Sequence, residues 1–161
     1  MVLLVQYTLI FASVLALVAL GGCFSEHSGV INIGLEGIMV MGALGGALAM
    51  KFLPATTPGI VLFILIVLAS VLVGMAFSLL LGFAAIHFNA DQTLVGTALN
   101  LMGTAAAVVI VRAINVAENP DNVSSTVVYR QAKQVFLVKI GDFEFNWFML
   151  IIVLAIIASH I

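Results

Sequence analysis

Asn32, Glu36 and Asn100 are the side chains in this sequence whose type and setting could act on a bound molecule. The first two belong to "SEHSGVINIGLEG" (25–37), which sets Ser25, Glu26, His27, Ser28, Asn32 and Glu36 between two otherwise apolar stretches. An ionisable group costs roughly 2.5–3.5 kcal/mol or more at the centre of a bilayer. Polar or non-helical segments survive at that depth only against protein or a water-filled cavity. Asn32 and Glu36 are four residues apart, so on a helix they share one face. That face is expected to look into a helix bundle. Two readings stay open for the pair: they line a hydrated passage, or they tie neighbouring helices together. Gly29, Gly34 and Gly37 fit a bent or broken helix start, whose free N–H groups can bind polar atoms. Asn100 lies two turns beyond Asp91, a good N-cap, with Thr97 and Thr104 near enough to share its face. Glu26 and His27 are expected at the water boundary.

Catalysis and resident cofactors fit poorly. Ser25, Glu26 and His27 have the residue types of a hydrolase triad, but immediate neighbours cannot converge on one reacting atom, and no G-x-S-x-G elbow occurs. Three scattered histidines and one cysteine make no metal signature. No G-x-x-x-x-G-K-[ST] is present, so ATP-driven work would fall to a partner subunit. The sequence therefore predicts no catalytic residue, no metal ligand and no cofactor of its own. A net charge of −2 gives no footing for nucleic acid.

The elements that must position these residues are membrane spans. Of 161 residues, 64% are hydrophobic and only 7% charged, against about 25% charged in soluble domains. Mean hydropathy is +1.33. Apolar runs approaching the roughly 20 residues that cross a bilayer predict helices at about 3–22, 30–50, 59–87, 92–113 and 146–161. Pro54 and Pro58 end the second. The third exceeds a ~30 Å core and must tilt or protrude. Between the last two spans lies a polar region, 114–145, in which "FLVKIGDFEFNW" alternates about Gly141-Asp142 and predicts a short β-hairpin outside the bilayer. Asn122-Val-Ser124 matches a glycosylation sequon, a weak signal alone. Cys23 can form no internal disulfide, and "LGGC" lacks the preceding positive charge of a leader. The fold expected is thus an all-α polytopic membrane protein of about five transmembrane helices, with one broken or re-entrant polar helix start and a short extramembrane hairpin. Gly42 and Gly46, then Gly74, Ser78 and Gly82, form four-residue stripes that let helices pack closely.

"FSEHSGVINIGLEGIMVMGALGG" (24–46) resembles the permease subunits of ABC importers, most closely the branch that takes up nucleosides and simple sugars, and more distantly the branched-chain amino acid permeases. "NADQTLVGTALNLM" (89–102) resembles a later motif of the same family. The resemblance covers about residues 20–110. It implies a multi-pass plasma (inner) membrane subunit paired with a second permease subunit, two cytoplasmic ATPase subunits that bind ATP, and an extracytoplasmic solute-binding protein. Asn32, Glu36 and Asn100 fall at its motif positions, as part of the substrate pathway. Residue 27 is His where the family usually has a basic residue, which makes that charge pH-dependent. Family members run to about twice this length, so 1–161 reads as a single permease domain, truncated, its N-terminal half.

The resemblance places 114–145 outside the cell. Arg112, Arg130, Lys133 and Lys139 lie in or beside that region, and the positive-inside rule would place it in the cytoplasm. We follow the resemblance. Two other classes are the alternatives: a homo-oligomeric channel or secondary transporter for a small polar solute, and a non-transporting membrane assembly protein. A carrier driven by protons or sodium should repeat the 25–46 pattern, and no repeat is found.

Overall fold

The computed structural model describes residues 2–29, 31–54, 56–127, 137–140 and 143–146. Uninterrupted apolar sequence with few turn formers gives four long helices: α1 (Val2–His27), α2 (Leu35–Phe52), α3 (Gly59–His87) and α4 (Gln92–Glu118). All four are long and apolar enough to cross a membrane. The polarity is inside-out, as expected of a bilayer protein. Ile60, Ile64, Leu68, Val71, Leu79 and Ile86 of α3 are exposed on its outer surface.

Several boundaries differ from those the sequence predicts, each for a local reason. The helix α1 runs through Gly21 and Gly22 to His27 rather than stopping near 22. A helical glycine costs only about 1 kcal/mol, whereas Gly29, at φ 82°, takes the left-handed conformation that ends a helix. The second helix begins at Leu35 instead of 30, because residues 31–34 are non-helical. The fourth continues to Glu118, so 114–118 are its last turn and not loop. The third matches the predicted 59–87.

Short connections fix the packing. Phe88 caps α3, and Asn89 at φ 47° turns the chain into α4. There the Asp91 carboxylate accepts from the amides of Thr93 (2.8 Å) and Leu94 (3.4 Å), as an N-cap should. The helices α2 and α3 run antiparallel, with Gly42 against Gly74 and Gly46 against Ser70. Phe77, Leu81 and Leu99 form the buried cluster, flanked by Ile38, Met41 and Val95. The first helix touches α2, where Gly22 lies against Leu35. Strands β1 (Leu137–Ile140) and β2 (Phe143–Asn146) pair antiparallel, Leu137 opposite Asn146 and Ile140 opposite Phe143. The predicted turn at Gly141-Asp142 and, apart from Asn146, the predicted fifth span lie outside the described residues.

Candidate functional site

The polar stretch does not form a helix face. Asn32 precedes α2 and Glu36 is its second residue, so the four-residue spacing does not bring them onto one helical stripe. The physical reason is that α4 offers the backbone of 31–37 better partners than a helical turn would. Asn100 supplies two of them. Its Oδ1 accepts from the Gly37 amide at 2.7 Å, and its Nδ2 donates to the Ile33 carbonyl at 2.8 Å. Gln92 Oε1 accepts from the Ile31 amide at 2.9 Å.

Gly34 occupies the N-cap position of α2 and has no side chain to cap with. The first amides of any helix lack carbonyls one turn back. Asn100 therefore does from another helix what a cap residue does locally, reaching the third residue of α2. Glycine permits that reach. A Cβ on Gly37 would stand 2.5 Å from the Leu99 carbonyl oxygen and 2.9 Å from the Asn100 Cα. One on Gly103 would meet the Gly37 Cα at 2.9 Å, and one on Gly96 would meet the Gly34 nitrogen at 2.9 Å. Here α2 and α4 touch backbone to backbone.

Asn32 is half-buried in this seam. Its Oδ1 is buried with no hydrogen-bond partner among the described residues. Glu36 is exposed and holds no ion pair among them. Thr97 and Thr104 donate to carbonyls of their own helix, at Leu94 and at Asn100 and Leu101, so neither hydroxyl joins the Asn100 amide. Phe83 stacks on His87 at 4.4 Å. Among the described residues no three His, Cys, Asp or Glu side chains gather as metal ligands.

The stripe residues divide. Gly42, Gly46 and Gly74 lie between α2 and α3, and the Ser78 hydroxyl donates to the Met75 carbonyl of its own helix. Gly82 meets nothing within 4 Å. In an antiparallel pair with Gly42 opposite Gly74, eight residues beyond Gly74 correspond to eight before Gly42, where α2 has not begun. Sequence reasoning missed Gln92, Gly96 and Gly103 as partners of the polar stretch. The seven-residue spacing of Gly96 and Gly103, straddling Asn100, was the available signal.

Four apolar helices around a polar, interrupted helix start define a multi-pass integral membrane protein of the permease class. The chain belongs to the family described as branched-chain amino acid transport system / permease component, which matches residues 4–161. Among curated relatives, the guanosine ABC transporter permease protein NupQ of Bacillus subtilis (strain 168) is 45% identical over 116 residues, 70% of this chain and 35% of that protein. The nucleoside ABC transporter permease protein NupC of Lactococcus lactis subsp. cremoris (strain MG1363) is 36% identical over 110 residues, 68% of this chain and 34% of that one. The putative glucose ABC transporter permease protein TsgC13 of Haloferax volcanii is 37% identical over 101 residues, 63% of this chain and 29% of that one. The matched segment thus covers about a third of the length of these relatives. No solved structure matches it.

Proposed function

We propose that this chain forms part of the solute pathway of an ATP-binding-cassette importer for nucleosides or related simple sugars. In that assembly a second permease subunit, two cytoplasmic ATPase subunits and an extracytoplasmic binding protein complete the complex. ATP is bound on the ATPases, and strands β1 and β2 stand outside the bilayer.

One observation carries the reading: the Asn32 Oδ1 is buried without a partner beside the unwound start of α2. A buried, unpaired acceptor costs about 1–3 kcal/mol. A solute hydroxyl or amide N–H would satisfy it, and the amides that open α2 offer donors to the same solute. Neutral, hydroxyl-rich molecules match that mixed set. Asn100 holds the segment in place, and Glu36 presents a carboxylate at its edge. The named activities of NupQ and NupC support nucleosides ahead of sugars.

The test is uptake of radiolabelled guanosine by cells expressing the complete complex, with unlabelled nucleosides, glucose and leucine as competitors. Asn32→Leu is expected to lower uptake about tenfold, the equivalent of one ~1.4 kcal/mol hydrogen bond. Unaltered uptake at normal expression removes Asn32 from the pathway. Competition by leucine alone overturns the nucleoside assignment.

A further inference from the structure

The helices α2 and α4 run side by side in the same direction, and they are held differently at their two ends. At their N-terminal ends the glycine seam brings backbone against backbone, with Asn100 bonded to both Gly37 and Ile33. Further along, a cleft of about 410 Å³ opens between Val40, Ala43 and Ala47 of α2 and Ala107, Val108 and Val111 of α4. At their C-terminal ends one polar relay spans the pair. Lys51 Nζ lies 2.9 Å from Glu118 Oε2 and donates to Asn115 Oδ1 at 3.2 Å. Asn115, only 2% exposed, turns its Nδ2 to the carbonyls of Ser124 (2.9 Å) and Thr126 (3.0 Å). Ser125, Thr126 and Val127 form a wall of the same cleft.

We propose that α2 and α4 are a hinge and a clasp: fixed at the glycine seam, free to part at Lys51, with the Lys51–Asn115–Glu118 relay setting whether the cleft is narrow or wide. Two stiff rods joined backbone to backbone at one end can separate only at the other. Ala43, Ala47 and Ala107 leave part of the cleft thinly packed, while Leu44 and Val111 are buried beside them. The relay adds a polar closing contact to that packing, and its partners are unequal. Glu118 is 58% exposed, so its pairing is screened by water and readily reversed. Lys51 is 11% exposed, and an ammonium there is poorly solvated unless paired. Losing the Glu118 carboxylate leaves the Lys51 ammonium only the neutral Asn115 oxygen and draws it towards water, which widens the cleft. Paired and parted are then two separate arrangements, the kind of bistable contact a hinge motion uses. Segment 124–127 travels with the clasp, because Asn115 grips it through two carbonyls.

Paired spin labels test this in nanodiscs drawn from membranes that hold the chain with its native partners, in a Cys23→Ser background. Phe52→Cys with Val116→Cys reports the clasp end, and Ile31→Cys with Thr93→Cys reports the hinge end. Glu118→Gln and Lys51→Met are each expected to shift the 52–116 distances longer and broader. The 31–93 distances should not change, and Lys51→Arg should keep the original distribution at both ends. Unchanged 52–116 distances, or equal lengthening at both ends, overturn the proposal. If Lys51→Met does not assemble, Glu118→Gln decides alone, since that side chain is exposed. The readout is a distance and not uptake, so this proposal and the transport assignment can fail separately.

Discussion

Asn100 is the residue on which the local order of the site depends, because one side chain satisfies two backbone groups of another element. Asn100→Leu keeps the volume and strands the Gly37 N–H and the Ile33 carbonyl. Each group left unpaired costs about 1–3 kcal/mol. Thermal unfolding of the purified complex should therefore shift clearly downward. Asn100→Asp keeps the acceptor for Gly37 and loses the donor to Ile33, so its loss should be intermediate. Thr104→Val is the contrasting case. Its hydroxyl serves only carbonyls of its own helix, which already have helical partners, and stability within about 0.5 kcal/mol of the parent is expected. Equal losses for Thr104→Val and Asn100→Leu would show that general polarity on α4, and not this particular bridge, holds the start of α2.

Among the elements, α2 and α4 meet backbone to backbone at Gly37 and Gly103, and glycine alone allows it. Gly37→Ala and Gly103→Ala would drive a methyl group against fixed backbone atoms at 2.5 and 2.9 Å. Backbone cannot yield as a flexible side chain does, so the helices must move apart. Overpacking of this kind costs typically about 1–3 kcal/mol or more. Gly82→Ala meets open space and trades a poor helix former for the best, so a gain of up to about 1 kcal/mol is expected. Detergent-resistant folded yield across the three variants checks the order. The contrast also shows what the sequence could reveal. The limits of α3 were legible because Pro58 and a polar turn bracket a largely apolar run of 29 residues, and local punctuation suffices for that. The cap at Asp91 was legible for the same reason. The start of α2 was not, because its partners lie 63 and 67 residues away on another helix. Four-residue glycine spacing pointed to Gly42 and Gly74 but equally to Gly82, since spacing does not say where the neighbouring helix begins. Lys51 lies just past the predicted second span and Glu118 within the predicted polar region, and only the parallel course of α2 and α4 makes them a pair.

At the scale of the whole molecule, the helix directions collect charge at opposite ends. Glu26, His27, Glu36 and Asp91 stand where α1 finishes and where α2 and α4 begin, whereas Lys51, Arg112 and Glu118 stand towards the C-terminal ends of α2 and α4. The positive-inside rule, taken alone, would put the Lys51 end in the cytoplasm. We propose that it lies outside, as the family resemblance implies. The rule weighs lysine and arginine over all short loops of a protein, and the matched part of this chain covers about a third of each of these curated relatives. This assignment also gives the relay its setting, since a clasp on the outer face would part towards the side from which an importer receives solute. Membrane-impermeant maleimide separates the two orientations in a Cys23→Ser background. Asp121→Cys should label in intact cells, and Ser28→Cys only after permeabilisation. The reverse pattern would turn the molecule over: the hinge would then face outward, and the cleft between α2 and α4 would open towards the ATPases.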